Sequence, residues 1–395
     1  MVHYNPFDPE VQRGDTYKVY RQLRDEAPCY YIEEFDAWAL SRFHDIWEAS
    51  QDTEHYTATK GTTSSHVLTK VQPVTPMLNM MDPPEHTQLR KEIRKFFMPS
   101  RVRELEPWIR ELAVGCLDAK RDAGEIDVIE DFAAQVATKV ACEVNGFPKE
   151  DGDLLTDLVR RFFGRDPEVD GMTEDGLAAM NELFGYFVEL VQTVRKQDGS
   201  DMTVVKLLTE IEFDGQKLDD MTIGSHLSML IIGGAETFPK VFANLIRRLG
   251  EFTDARAECA KDPALIPEAF LEGLRYDMPT QFLCRTVTKE HEIHGETLRP
   301  GQPILYLYPS ANRDPREFDD PDTFDIHRKA PRILSFGHGT HACIGLHVAK
   351  MEGKICLEET LKRMPEYAVE TDRVERLVTD FVQGFAKLPI SFEPF

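Results

Sequence analysis

The residues best able to do chemistry lie in one run, Ser335-Phe336-Gly337-His338-Gly339-Thr340-His341-Ala342-Cys343-Ile344-Gly345. Cys343 stands where an irregular loop is predicted to turn into a helix, Ile344 to about Lys362. Free N–H groups and the positive end of the helix dipole favour a thiolate there. The glycines let a flat ligand approach the main chain closely. A lone thiolate on such a loop suits an axial ligand to haem iron. Two other readings use the same residues. One is a buried cysteine on a glycine-rich turn. The other is a zinc site built from His338, His341, Cys343 and His347, although structural zinc sites usually pair cysteines.

A second constellation lies at Ile231-Ile232-Gly233-Gly234-Ala235-Glu236-Thr237, mid-way along a helix predicted from Leu218 to about Leu249. Each mid-helix glycine costs about 1 kcal/mol relative to alanine, and a carboxylate on an apolar face adds to that. Local rules broken together mark a site; a kink with Thr237 bonded back to the helix is the alternative. Glu272 and Arg275 sit three residues apart on one helix face. His86 and Arg90 share another face at a spacing of four. Lys91, Arg94 and Lys95 follow them, and His347, Lys350 and Lys354 repeat at helical spacing after Cys343. Both cation groups could equally be solvated faces.

The elements that must position these residues are mostly helical. Tyr17, Tyr20 and Leu23 form a stripe on a helix over Thr16–Asp25. Tyr30–Ile32 and Trp38–Leu40 read as strands, with Ser41 as N-cap of the next helix. Residues 56–76 have no period, and a loop that long is usually functional or mobile. Asp82-Pro83-Pro84-Glu85 opens a helix to about Phe97. Longer helices follow near Ser100–Arg121, Val128–Val144, Asp151–Phe163, Thr173–Lys196 and Pro267–Tyr276. Strand signals occupy Phe282–Ile293, Tyr367–Val369 and Phe381–Phe392. The expectation is a single mainly α domain over 1–395 with a small β lobe. Its helix-rich core covers about 84–276 and 343–363, and its β-rich parts cover about 28–40, 282–306 and 366–393.

Composition narrows the partners. The formal charge of −23 argues against nucleic acid and anionic membrane. No apolar run reaches the roughly 18 residues that would span a bilayer, and the start has no signal-peptide pattern. Seven scattered cysteines fit a reducing cytoplasm.

Phe336 to Gly345 resembles the haem-binding signature of the cytochrome P-450 family, with every fixed position filled. Landmarks from about Asp15 to the C-terminus match as well. The resemblance implies the cytochrome P-450 fold, with haem b (iron protoporphyrin IX) bound through Phe336, Gly337, Cys343 and Gly345. Cys343 would be the iron ligand and O2 the co-substrate. His86, Arg90, Arg285 and His341 would meet the haem propionates. Gly233 and Gly234 would make room for O2, and Glu236 and Thr237 would be the acid–alcohol pair that holds oxygen and relays protons. Phe238 and Pro239 depart from the small or polar residues common after that pair. Glu272 and Arg275 match the family's buried structural pair, and Arg313 lies in the segment that pair contacts.

Pocket walls implied by family position are Thr57–Leu78, Phe162–Phe163, Leu230–Gly234, Phe238, Pro279–Leu283 (with Gln281 and Phe282) and Phe381–Phe385 (with Gln383). Gln281 and Gln383 are the expected polar handles. The implied activity is hydroxylation of a small apolar substrate such as a terpenoid, steroid-like or aromatic compound. Electrons would come from an acidic ferredoxin, 2Fe–2S or similar, with an NAD(P)H-dependent reductase. The alternatives are a peroxide-driven or non-oxygenating haem-thiolate enzyme, or a haem-binding protein without catalysis.

Overall fold

The long apolar segment forms the centre of the fold, but as two helices, Asp220–Ala235 and Thr237–Glu251, that meet at Glu236. Pro239 explains the break, since it has no N–H to offer the Ala235 carbonyl. Ile223, Leu227, Leu230 and Ile231 are buried on the first helix, which packs against the helices Ala134–Asn145 and Glu174–Lys196. These approaches are close. A Cβ on Gly224 would lie 2.9 Å from a Val188 methyl, and one on Gly234 would lie 2.9 Å from the Ala141 Cβ. By length and mean hydropathy alone Asp220–Glu251 could cross a membrane, yet 72% of its most apolar window is buried within the protein. Its apolar character serves the core.

The computed structural model describes residues 2–70, 75–164, 172–197, 202–213, 215–377, 379 and 381–395. Helices dominate, with a small β lobe. Five strands form the largest sheet, in the order Cys29–Ile32, Ala37–Leu40, Pro303–Tyr306, Leu283–Val287 and Tyr56–Thr57. Pro303–Tyr306 runs parallel to Ala37–Leu40 and antiparallel to Leu283–Val287, so Ile304 lies beside both Trp38 and Arg285. That register fixes Arg285 in the middle of its strand. A second sheet joins Tyr367–Val369, Pro389–Phe392 and Glu125–Asp127.

Several expectations shift in detail. Ser41 is not a helix cap: its hydroxyl donates to the Pro28 carbonyl, and the Phe43 N–H is received by the Asp314 carboxylate instead. The carboxylate is the stronger acceptor, and it comes from a segment distant in sequence. Val128–Ala133 forms a π-turn before the Ala134–Asn145 helix. The helices Val204–Glu210 and Thr253–Lys261 have no counterpart in the sequence reading. The helix after Cys343 begins at Leu346, so Cys343 belongs to the loop.

Candidate active site

The cysteine loop is held from behind by a buried network. Arg275, fully buried, donates from Nε and Nη2 to the two carboxylate oxygens of Glu272, both at 2.7 Å. Its Nη1 donates to the carbonyls of Asn312 and Pro321, each at 2.9 Å. Glu272 Oε1 also accepts from the Asp325 N–H at 2.9 Å and Arg328 Nε at 3.3 Å. Asn312 passes the order on, accepting from the Leu334 N–H at 2.8 Å and donating to Ser335 Oγ at 2.9 Å. Ser335 in turn donates to the Leu274 carbonyl at 2.9 Å. Arg313 does not join this pair; it lies between the rings of Tyr17 and Tyr276, 3.8 and 3.7 Å from their centroids.

The loop itself closes on its own backbone. Gly337 N–H donates to the Leu334 carbonyl at 2.9 Å, and Cys343 N–H donates to the Phe336 carbonyl at 2.7 Å. Gly339 has φ of 69°, and a Cβ there would lie 2.2 Å from the Ser50 carbonyl oxygen, so only glycine fits. His338 stacks on Trp47, with ring centroids 3.4 Å apart. Cys343 is exposed and lines a cavity of about 320 Å³. Burial pushes its thiol up, while the Gly345 N–H, the Arg90 guanidinium and the Leu346 N–H pull the other way.

The same cavity is lined by His86, Arg90, Arg285 and His341. His86 and His341 stack at 4.1 Å. Arg90 donates to the Ala342 carbonyl, which ties it to the cysteine loop. Burial, together with the adjacent arginines, lowers both histidines, His86 to about 4 and His341 to about 2. Neither ring nitrogen of buried His86 has a hydrogen-bond partner. Orphaned polar groups of this kind normally signal a missing partner. Two guanidinium groups and two neutral imidazoles, each able to donate an N–H, line this cavity and fit a ligand that brings anionic oxygens, as a haem brings its two propionates.

Across the cavity lie Gly233, Gly234, Thr237 and Phe238. A Cβ on Gly233 would have nothing within 4 Å, so that glycine leaves open space, whereas Gly234 is required by its packing on Ala141. Thr237 Oγ1 donates to the Gly233 carbonyl at 3.0 Å. Glu236 is not among the residues lining the cavity. It is buried and faces away, with its Oε1 3.6 Å from Lys240 Nζ. Expectation and structure differ here because one residue along a helix turns a side chain by about 100°.

Leu230, Phe238 and Pro279 line the cavity, but Phe282, Phe381, Gln281 and Gln383 do not. Phe282 belongs to the core beneath the large sheet, and Phe381 stacks on Phe163. Gln281 Nε2 donates to the Thr379 carbonyl at 2.7 Å and Gln383 Nε2 to the Met278 carbonyl at 2.8 Å. Both amides therefore tie the tail to the Pro279 segment. Thr62, within the expected Thr57–Leu78 wall, lines the cavity, while the sequence reading missed the polar cavity residues Asn79 and Asn145; nothing in their spacing marked them. Of the Thr57–Leu78 wall, residues 71–74 lie outside the described residues.

Beneath Cys343 a second recess of about 260 Å³ is lined by Arg328, Lys329, Arg332 and Lys350. Of the expected basic cluster, Lys95 is paired with Glu92 and Lys354 with Glu106. Among the described residues no three His, Cys, Asp or Glu side chains are placed to hold a metal ion, which removes the zinc reading.

The Cytochrome P450 family model matches residues 240–391. The chain is 35% identical over 392 residues to a putative cytochrome P450 123 of Mycobacterium tuberculosis, covering 98% of this chain and 96% of that protein. It is 31% identical to a vitamin D(3) 25-hydroxylase of Pseudonocardia autotrophica, covering 96% of this chain and 94% of that one. Among solved structures, cytochrome P450 CYP109Q5 from Chondromyces apiculatus superposes with a TM-score of 0.87 at 26% identity, covering 100% and 99%.

Proposed function

We propose, for a chain that belongs to the cytochrome P450 family and is thereby a haem-thiolate monooxygenase, that it hydroxylates a small apolar molecule with electrons from a ferredoxin and an NAD(P)H-dependent reductase. The single observation that carries this is that Cys343 lines the same cavity as His86, neither of whose ring nitrogens has a hydrogen-bond partner. Cys343 would hold the iron of haem b, with His86, Arg90, Arg285 and His341 receiving the propionates. When bound, the haem supplies oxygen activation.

The chain's own residues do the rest. Leu230, Phe238 and Pro279 bind and orient an apolar body and exclude water. Thr237 presents a hydroxyl whose proton is engaged with Gly233, so its lone pairs face the cavity as acceptors. On releasing that bond it donates into the cavity. Glu236 supplies the proton that Thr237 passes on. Lys91, Arg94, Lys329 and Lys350 give an acidic ferredoxin local positive potential on a protein of −23 net charge. We place the protein in the cytoplasm on its free cysteines.

The test is turnover of an apolar substrate panel under isotopically labelled O2, with NADH, a ferredoxin and its reductase. One labelled oxygen atom should enter the product. Product formed from peroxide alone, and not from the reduced electron chain, would move the protein to the peroxide-driven class.

A further inference from the structure

Lys240 is a lysine in the interior of the molecule, only 7% exposed. A buried ammonium is rare unless it is paired, and this one stands one turn after Glu236, with Nζ 3.6 Å from the carboxylate. The strand Gly384–Lys387 closes over its stem: a Cβ on Gly384 would lie 3.3 Å from the Lys240 Cβ and 3.4 Å from Asn244 Oδ1. The pair spans the break between the two central helices, where Pro239 frees the backbone. The next residue from Glu236, Thr237, faces the cavity.

From this geometry we infer that Lys240 is a positioning residue that keeps Glu236 ionised and turned away from the cavity between proton transfers. The inference rests on the proposed acid–alcohol role of Glu236 and Thr237 and adds a member to it. A relay acid must alternate between a charged and a neutral state. In a buried site without a counter-ion, a carboxylate takes up a proton and keeps it. Lys240 supplies the counter-ion from the first turn of the following helix, so Glu236 can give its proton towards Thr237 and return as carboxylate to the ammonium. The proton then comes from water, passes to a Glu236 oxygen, and leaves from that oxygen towards the Thr237 hydroxyl. No electron moves in these steps.

The experiment uses the holoenzyme at neutral pH and reads two things: the infrared band of a protonated carboxylic acid, and product formed per NADH consumed. The parent should lack a Glu236 acid band. Lys240→Met should gain one, and Lys240→Met combined with Glu236→Gln should lose it again. Product per NADH should fall several-fold in Lys240→Met and stay within about twofold of the parent in Lys240→Arg, which restores the charge. Lys240→Gln gives the same two readings should the methionine variant not fold. Absence of the acid band in the uncharged variants overturns the inference, and so does an unchanged product ratio. If Glu236→Gln alone leaves the product ratio unchanged, the relay role of Glu236 fails, while the infrared result still decides whether Lys240 holds it ionised.

Discussion

The two sides of the cavity are built on opposite plans. Behind the cysteine loop the polar groups are densely paired: Glu272 receives four donors, from Arg275, Asp325 and Arg328, and the order runs through Asn312 and Ser335 into the loop. On the opposite side the helix is broken at Glu236, and Thr237 bonds only back to its own backbone among the bonds described. A saturated network fixes a geometry, because any move breaks several bonds at once. A sparse one leaves groups able to change partners. The first suits a ligand that must hold its place, and the second suits proton traffic.

The comparison is most easily broken on the saturated side. Arg275→Ala leaves Glu272 charged and buried without its main partner, which should cost about 3–5 kcal/mol. The expected outcome is a chain that no longer retains haem, read by thermal unfolding and haem content. Survival of both would show that the network is ornamental.

The sparse side also holds His226, buried on the Asp220–Ala235 helix and lowered by burial from 6.5 to about 4. Its folded-state value lies below its unfolded one, so the unfolded chain binds the proton first as pH falls. The contribution is fully present above pH 6.5 and is lost progressively down to about 4, by at most about 3 kcal/mol. His226→Met should therefore flatten the fall of stability across that window in denaturant titrations. An unchanged slope would mean that His226 charges freely in the folded state.

Much of this arrangement was legible in the sequence, and the reason differs by side. Cys343, Glu272, Arg275, His86 and Arg90 stand out because their motifs resemble those of the cytochrome P-450 family; spacing alone leaves the two pairs as solvated faces and Cys343 with three readings. Gln281, Gln383 and Phe282 lie in irregular chain, where no period says which way a side chain points, and they turn out to bind the tail or fill the core. Lys240 was overlooked although its spacing of four from Glu236 was visible. A lysine there reads as solvated until the strand Gly384–Lys387, distant in sequence, is seen to cover it. The helix break follows from Pro239, which was noted only as a change of pocket shape.

Smaller effects sharpen the comparison. Thr237→Ala should leave haem and substrate binding near normal but lower product per NADH several-fold, about 1 kcal/mol in the partition. An unchanged ratio would reduce Thr237 to a packed helix residue. Smaller still is the partner surface. Lys91→Glu with Lys95→Glu should raise the apparent ferredoxin KM a few-fold and flatten its dependence on ionic strength, since such steering is screened over about 10 Å at 0.1 M salt. Because Lys95 is already paired with Glu92, Lys91→Glu alone should carry most of the change. Equal electron acceptance at low salt would leave these lysines as a solvated face.

The central claim is that Cys343 is the thiolate ligand of a haem held in this cavity. Its most direct test is the carbon monoxide difference spectrum of the reduced protein, recorded for the parent and for Cys343→His. The parent should show the red-shifted Soret band that gives the family its name, and the variant should bind haem but show the shorter-wavelength band of a nitrogen-ligated iron. The same red-shifted band in the variant, or its absence from a haem-loaded parent, would contradict the account.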